Sequence, residues 1–390
     1  MKLYFMNQGT CTRVKLFGED VIKLFTINGN SVSASIDEAD YIFVNTCSFL
    51  QSKEDYFIRL ISELYGKKRK KQILAVIGCL GATNKDAILR ISDDILIFKR
   101  DMNEIAEYFH FNRFPEAKAT YVADKKGFSD RCISFINDTF LHSKHIDYRL
   151  KKESVCYIQI STGCLGKCSY CSERFVTKLK SRPVQEILEA VQDGIDRGYS
   201  LFGLSADDTS AYGKDISTDI AALLLELSKI KEDIYFTIPE FNPQGLTDEV
   251  IDILKDPKFL YITIPIQSGS QHVLNLMKRP YDISHVKKQV AKLREANPTI
   301  MVNTHIIVGF PAERTSDFMM TIKLIETGMF DRVKVFKYSE RPGTEAAQLY
   351  GKIREDEKEK RRKILLSAVR KMNIRKHSLT NILLNLDQIH

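Results

Sequence analysis

The chain has 390 residues, of which 44% are hydrophobic and 28% charged, with a formal net charge of +8. This composition is ordinary for a globular protein with one or two domains. It excludes a disulfide scaffold, because eight cysteines are too few in a chain of this size. No apolar run approaches the roughly 20 residues that span a bilayer, and no signal peptide is evident, so we expect a cytoplasmic protein.

The N-terminal residues alternate between strand-like and helix-like segments. Strands are predicted at 2–6, 40–45, 72–77 and 95–98, and helices at 12–25 and 51–65. Continuous apolar strands separated by helices predict a doubly wound parallel sheet. We assign residues 1–115 to this α/β domain and the mixed, polar residues 116–150 to a linker.

From residue 155 the alternation resumes in βα units of roughly 35 residues, which predicts a partial (β/α) barrel. Strands are predicted at 155–160, 201–205, 234–238, 260–264, 300–308 and 332–336, with helices at 184–197, 216–230, 247–254, 284–296 and 315–328. We place the barrel domain at 151–347. Residues 348–390 are predicted to form a basic helical tail with a long helix at 354–384. Such a basic surface is typical of a nucleic-acid or acidic-peptide binding site, but it is equally typical of a solvated helix.

The loop after the first barrel strand contains three cysteines at CxxxCxxC spacing, namely Cys164, Cys168 and Cys171. Three thiolates can hold three irons of a [4Fe–4S] cluster and leave the fourth iron open to another ligand. A zinc site is the alternative, but zinc needs a fourth ligand and no Cys or His follows Cys171 closely. The pattern favours the cluster, at the face of the barrel where active sites form.

Three more cysteines, Cys11, Cys47 and Cys79, each follow a predicted strand of the N-terminal domain. The carboxyl ends of parallel strands meet at one edge of a sheet, so these loops can converge on a second three-cysteine site. Taken singly, each cysteine is better explained as an inert core residue, but the matching positions of the three after their strands favour a shared cluster. Cys132 and Cys156 lie outside any motif and are predicted to be buried free thiols.

Six ordered motifs between Cys11 and Ala347 resemble those of the radical S-adenosylmethionine (SAM) methylthiotransferases. They are NTCSF (45–49), VIGCL (76–80), LSADDTSAYG (204–213), PIQSGS (265–270), IIVGFP (306–311) and RPGTEAA (341–347). The resemblance implies two [4Fe–4S] clusters, two SAM molecules and replacement of an unactivated C–H by C–SCH₃. Cys11, Cys47 and Cys79 would bind the auxiliary cluster, where sulfur is methylated, and Cys164, Cys168 and Cys171 the cluster that cleaves SAM.

The resemblance also implies SAM contacts, and each has a plainer explanation. Gln267 and Ser268 would bind the ribose or methionine, or simply form a turn. Asp207 or Asp208 would orient the SAM amino group or the substrate, or cap a helix. Arg182 would pair with a carboxylate or lie at the surface. The aromatic residues Tyr170, beside the adenine, and Phe310 complete this set, and we interpret His305, where many relatives have Asp, as structural.

Two departures from the family pattern bear on the substrate. Thr10 separates Gly9 from Cys11, whereas relatives usually have Gly immediately before this cysteine. Val14, Phe17 and Gly18 stand where relatives carry polar residues. The surroundings of Cys11 therefore differ from the family pattern. Only 43 residues follow Ala347, which predicts a member without the C-terminal β-barrel domain used for macromolecular binding. We therefore favour a peptide or protein substrate over a tRNA adenosine, and we expect a low-potential electron donor as a partner. A radical SAM enzyme of another reaction type, with the second cluster used for electron transfer, remains the other alternative.

Overall fold

The structure, a computed structural model, describes residues 1–7, 9–115 and 155–375. Three expectations fall outside this part of the chain: the linker at 116–150, Cys132, and the tail helix beyond residue 375. Within the described residues the chain forms two large parallel sheets flanked by helices, which confirms the predicted α/β fold class.

The N-terminal sheet has five strands in the order β2-β1-β3-β4-β5, and all neighbours are parallel. The strands are β1 (Lys2–Met6), β2 (Ser31–Val32), β3 (Tyr41–Thr46), β4 (Ile73–Gly78) and β5 (Leu96–Ile97). The helices are α1 (Thr12–Ile27), α2 (Gln51–Lys67), α3 (Cys79–Thr83), α4 (Lys85–Leu89) and α5 (Met102–Tyr108). The last three helices are too short to show a helical period, so they could not be predicted from the sequence.

The centre of this sheet is apolar on both faces. Five of the six residues in each of β3 and β4 are buried, as expected for parallel strands covered on both sides by helices. One apolar cluster joins these strands to α2, and the other joins them to α1 and α5. The sheet edge that carries the strands' carboxyl ends is therefore held rigidly on both sides.

The second sheet has six parallel strands within the described residues, in the order β13-β12-β11-β10-β9-β6. They are β6 (Val155–Gln159), β9 (Leu201–Ser205), β10 (Tyr235–Ile238), β11 (Phe259–Thr263), β12 (Met301–Val308) and β13 (Arg332–Lys337). The helices are α6 (Val184–Asp196), α7 (Ile220–Ser228), α8 (Asp248–Ile253), α9 (Gln271–Leu276), α10 (Ile283–Ala296), α11 (Thr315–Glu326) and α12 (Glu355–Arg375). Sequential strands that pair in order, with helices between them, form the partial barrel that the sequence predicts.

A short antiparallel ribbon, β7 (Ser161–Thr162) with β8 (Lys180–Ser181), closes the base of the cysteine loop. Gly163 leaves the ribbon with φ of +78°, and a Cβ there would lie 2.2 Å from the backbone carbonyl of Lys178. Only glycine fits this position, because it lacks the Cβ and tolerates positive φ. The loop that carries Cys164 is thus fixed where it leaves the barrel.

The last helix, α12, packs on the outside of the barrel through a buried ion pair. Arg361 Nη1 lies 2.7 Å from Glu313 Oε2, and the two side chains are almost inaccessible to solvent. In the described part of the chain, no helix combines the length and the apolar character needed to cross a membrane.

Candidate active site

The loop between β7 and β8 brings Cys164, Cys168 and Cys171 close enough to interact, and Gly166 lies beside the first two. A Cβ on Gly166 would lie 3.1 Å from Cys164 Sγ and 3.7 Å from Cys168 Sγ, so a side chain would intrude between the sulfurs. Glycine keeps this space open. The space between the Cys164 and Cys168 sulfurs is therefore free of any side chain on Gly166.

An N–H group points at each of the three sulfurs. Gly166 N donates to Cys164 Sγ at 3.1 Å, Glu173 N to Cys171 Sγ at 3.4 Å, and Arg279 Nη1 to Cys168 Sγ at 3.5 Å. Such donors favour thiolates, which are the form that ligates iron. Without a ligated metal, burial raises the pKa of the Cys164 and Cys171 thiols to about 12.

The donor set fits a [4Fe–4S] cluster, in which each thiolate ligates a separate iron. Within the described ranges, no group of three His, Cys, Asp or Glu side chains is arranged to hold a single metal ion.

The N-terminal domain brings Cys11, Cys47 and Cys79 to one edge of its sheet, as the strand order requires. Cys11 directly precedes the first residue of α1, Cys47 follows β3, and Cys79 is the first residue of α3. All three pack with the same apolar cluster. A hydrogen bond between the Cys11 and Cys47 thiols lowers the pKa of Cys11 and, with burial, raises that of Cys47.

Gly78 fixes the third thiol of this trio. Its φ is +96°, and a Cβ there would lie 2.5 Å from the carbonyl oxygen of Thr46. The chain can turn from β4 directly into α3 only because this residue has no side chain. Cys79 therefore begins its helix beside the end of β3, near Cys47.

The two cysteine trios are close together. Helix α3, which starts at Cys79, packs against the 3-10 turn Glu173–Phe175, which begins two residues after Cys171. Val176, at the end of that turn, is buried in the same apolar cluster as Cys47 and Cys79. The candidate cluster sites of the two domains thus face a shared region.

Four charged residues connect the two domains between the trios. Arg100 Nη2 lies 2.5 Å from Asp207 Oδ2 and 2.8 Å from Glu173 Oε1, and Arg13 Nη1 lies 3.0 Å from Asp207 Oδ1. Asp207 Oδ2 also accepts the Gly163 N–H at 2.6 Å. Burial acts against the charge on Asp207, but Arg100 and Arg13 hold its pKa at about 2. Burial and the Asp207 charge raise the pKa of Glu173 to about 7.

The predicted aromatic and turn residues lie around the barrel mouth. Tyr170 and Phe310 pack edge to face, with ring centroids 6.3 Å apart, in one apolar cluster. Gln267 has φ of +70° and pairs with β12 through its backbone, and its buried Oε1 has no hydrogen-bond donor in the part of the chain that the structure describes. The Ser268 hydroxyl accepts the Ser270 N–H at 3.2 Å and lies 3.3 Å from Thr321 Oγ1. In this set the Gln267 side-chain oxygen is the acceptor that still lacks a donor.

The predicted charged residues already have partners in the protein. Asp207 belongs to the network of four charges described above. Asp208 caps the turn Thr209–Ala211 by accepting the Ser210 N–H at 3.1 Å, and Cys164 Sγ lies 3.7 Å from its Oδ2. Arg182 donates to the carbonyl oxygens of Gln159 and Glu186 at 3.0 and 3.2 Å. For Asp208, the capping role is the one with a visible hydrogen bond.

Four residues of the site were not identified from the sequence: Arg13, Arg100, Glu173 and Arg279. Arg100 meets partners 73 and 107 residues away, and Arg279 meets Cys168 across 111 residues. No pattern among neighbouring residues in the sequence predicts contacts between residues so far apart. Glu173 lies two residues after Cys171, and that proximity was the one available signal.

Two family models match this chain. One is described as the Radical SAM superfamily and matches residues 158–325, and the other as Uncharacterized protein family UPF0004 and matches residues 2–98. The fold and the cysteine loop are those of a radical SAM enzyme. The superfamily implies a [4Fe–4S] cluster and SAM.

Curated relatives cover most of the chain. A Pyrococcus horikoshii protein named "Probable threonylcarbamoyladenosine tRNA methylthiotransferase" is 32% identical over 89% of this chain and 79% of its own. The "Ribosomal protein uS12 methylthiotransferase RimO" of Chlamydia pneumoniae is 28% identical over 97% of this chain and 79% of its own. The chain belongs to the radical SAM methylthiotransferase family, and it is an enzyme of the methylthiotransferase type.

Solved structures with the same fold are more distant in sequence. The radical SAM methyltransferase TsrM from Kitasatospora setae has a TM-score of 0.51 at 11% identity, over 88% of this chain and 74% of its own. The cobalamin-dependent SAM radical enzyme OxsB has a TM-score of 0.54 at 11% identity, over 95% of this chain and 57% of its own. These likenesses concern the fold alone.

Proposed function

We propose that this enzyme transfers a methylthio group to a peptide or protein side chain and uses two [4Fe–4S] clusters. Cys164, Cys168 and Cys171 hold the cluster that binds SAM. Cys11, Cys47 and Cys79 hold the auxiliary cluster. The observation that carries the proposal is the packing of α3, which begins at Cys79, against the turn that follows Cys171.

The protein's own groups prepare this site. When bound, the clusters and SAM supply the electron, the radical and the methylthio group. The N–H groups of Gly166, Glu173 and Arg279 stabilise thiolate charge on the loop cysteines. The charges between the domains bind the cysteine-bearing elements together and exclude bulk water from the region between them.

We also infer that SAM binds at the mouth of the barrel. Tyr170, backed by the fully buried Phe310, provides an apolar surface for the adenine. Gln267 Oε1, which has no donor among the described residues, is available to accept a hydrogen bond from the ligand. Ser268, Asp208 and Arg182 then shape this mouth through their hydrogen bonds to the protein. The domain limits at 115 and 151–347 and the cytoplasmic location remain predictions.

A peptide substrate is favoured over tRNA because single-stranded RNA bases are usually held between aromatic side chains. The chain has no Trp. A peptide can bind instead by pairing with the edge of a sheet. The second candidate function is methylthiolation of a tRNA adenosine, which the names of several relatives favour. A third is a radical SAM reaction of another type, in which the second cluster only transfers electrons.

Mass spectrometry of cellular peptides and of bulk tRNA tests this proposal. Cells that express the chain are compared with cells that express Cys47→Ala. We expect a peptide that gains one methylthio group in place of hydrogen, only with the unmodified chain. Gain of the group on tRNA alone contradicts the peptide substrate. A substrate that is dehydrogenated or otherwise changed without added sulfur contradicts the reaction itself.

A further inference from the structure

Four arginine side chains are buried in the described part of the chain, and one of them differs from the others in its partners. Three form ion pairs with a buried carboxylate at 2.5 to 2.7 Å: Arg100 with Asp207, Arg341 with Glu54, and Arg361 with Glu313. The fourth, Arg279, is 8% exposed and has no Asp or Glu within ion-pair distance among the described residues. No carboxylate of this part of the chain therefore balances its charge.

The guanidinium of Arg279 donates to three groups, and one of them is a loop cysteine. Nη1 donates to Cys168 Sγ at 3.5 Å, Nη2 to the carbonyl oxygen of Pro265 at 2.6 Å, and Nε to the Tyr281 hydroxyl at 3.3 Å. The carbonyl cannot ionise, and a tyrosine hydroxyl is neutral near pH 7. Of the three acceptors, Cys168 is thus the one that becomes an anion under ordinary conditions, as a thiolate bound to metal.

The surroundings of Arg279 hold its charge in this position. The guanidinium lies over the Tyr281 ring, 5.3 Å from the centroid, and the Tyr281 hydroxyl in turn donates to the carbonyl oxygen of Ile266 at 2.6 Å. Arginine side chains usually extend their charged end into water. Here the planar fork is fixed by contacts on both sides, so the charge stays beside Cys168.

A buried cation without a counter-ion is unfavourable. Arginine does not lose its proton at accessible pH, so burial cannot be relieved by neutralisation of the side chain. A [4Fe–4S] cluster held by three thiolates has a net negative charge, and reduction by one electron increases it. A fixed positive charge at one of these thiolates is therefore neutralised by such a cluster, and it favours the reduced form over the oxidised one.

We propose that Arg279 is the counter-ion of the [4Fe–4S] cluster held by Cys164, Cys168 and Cys171, and that its charge makes this cluster easier to reduce. A low-potential one-electron donor supplies the electron, and no bond or proton at Arg279 changes. The inference rests on the proposed function for the assignment of these three cysteines. Because Arg279 acts through Cys168, it is a positioning residue and not a catalytic one.

The midpoint potential of the cluster tests this role without reference to activity. Reconstituted variants are titrated with titanium(III) citrate and redox mediators, and the reduced cluster is measured by EPR. Each variant also carries Cys47→Ala, so that the signal comes from the loop cysteines. Arg279→Gln should make reduction about tenfold less favourable, as expected for the loss of one charged hydrogen-bond donor. For one electron, this is a midpoint potential about 59 mV more negative.

Two variants separate the charge of Arg279 from its packing. Tyr281→Phe removes the neutral hydroxyl beside Nε and keeps the charge, so the midpoint potential should not change. Arg361→Gln removes an equally buried cation from Glu313, and it should lower the free energy of unfolding without changing the potential. An unchanged potential in Arg279→Gln contradicts the proposal, and so do equal shifts in Arg279→Gln and Tyr281→Phe.

Iron analysis decides the outcome if Arg279→Gln does not retain the cluster. Arg279→Lys keeps the positive charge but lacks the planar fork. Iron retained in Arg279→Lys and lost in Arg279→Gln supports the counter-ion, whereas iron lost in both contradicts a role for the charge.

Cys164→Ala tests the cysteine assignment separately. An EPR signal that persists in this variant means that the assignment in the proposed function fails. A signal lost in Cys164→Ala, together with an ordinary potential in Arg279→Gln, means that only the counter-ion is wrong.

Discussion

Each cysteine of the N-terminal trio is expected to be an iron ligand and not merely a core thiol. Replacement of Cys47 by alanine should lower the iron content of the reconstituted enzyme from about eight to about four per chain, because one cluster loses a ligand. Iron and sulfide analysis with Mössbauer spectroscopy measures this. Cys156→Ala is the matched control, since Cys156 is equally buried but lies in the outer core of the barrel. An unchanged iron content in Cys47→Ala contradicts the assignment.

Gly163 offers a second residue-scale prediction. Gly163→Ala should lower the free energy of unfolding well beyond the cost of a positive φ, because the new Cβ collides with the Lys178 carbonyl. Gly198→Ala separates the two effects: Gly198 has φ of +85° but nothing within 4 Å of a Cβ. The control should cost about 1 kcal/mol. Urea unfolding measures both variants, and equal losses mean that the close approach at Gly163 has no energetic effect.

At the scale of elements, Asp207 connects the end of β9 to the base of the cysteine loop and to the N-terminal domain. Asp207→Asn keeps the shape and an acceptor for the Gly163 N–H but leaves Arg100 without its closest carboxylate. Removal of one partner from a buried pair costs about 3–5 kcal/mol. The exposed pair of Asp252 with Lys255 provides the control, and Asp252→Asn should be nearly neutral. Chemical unfolding of both variants measures the difference.

The same carboxylate makes stability depend on pH. Its pKa is about 2 in the folded chain, below its ordinary value of 3.8. A lowered folded-state pKa means that the stabilisation is complete above about pH 4 and is lost as the pH falls from about 4 to about 2. Between these values the unfolding free energy of Asp207→Asn should therefore fall less steeply than that of the unmodified chain. Parallel slopes in acid titrations of the two proteins contradict this role for Asp207.

At the scale of the whole molecule, a second buried pair joins the domains. Arg341 Nη1 lies 2.6 Å from Glu54 Oε2, and their side chains are 7% and 3% exposed. Glu54→Gln should weaken the contact between α2 and the barrel, so that limited proteolysis separates the two domains faster. Glu63→Gln, on the exposed side of the same helix, should leave the rate unchanged. If both variants are cleaved at the rate of the unmodified chain, this pair does not hold the domains together.

Features formed by residues that lie close together in the sequence could be predicted from the sequence. The apolar runs at β3 and β4 and the helical period at α1 and α2 predicted the N-terminal sheet, and the CxxxCxxC spacing predicted the loop of Cys164. Arg100 and Arg279 could not be recognised, because their roles depend on partners about a hundred residues away. Asp207 or Asp208 was predicted to orient the SAM amino group or the substrate, or to cap a helix. The contacts that the Asp207 oxygens make with Arg100, Arg13 and Gly163 could not be predicted, because these partners are distant in sequence. Short helices such as α3 contain too few residues to reveal a period.

The two cysteine trios also differ in how the chain assembles them. Eight consecutive residues supply the loop trio, whereas the N-terminal trio spans Cys11 to Cys79 and exists only after three strands have paired. Closing a short segment costs little entropy, while joining distant ones requires the surrounding fold. During biogenesis the loop can therefore capture iron while the chain is still incompletely folded. We expect the other trio to become competent last, so a cluster bound there would mark a mature molecule.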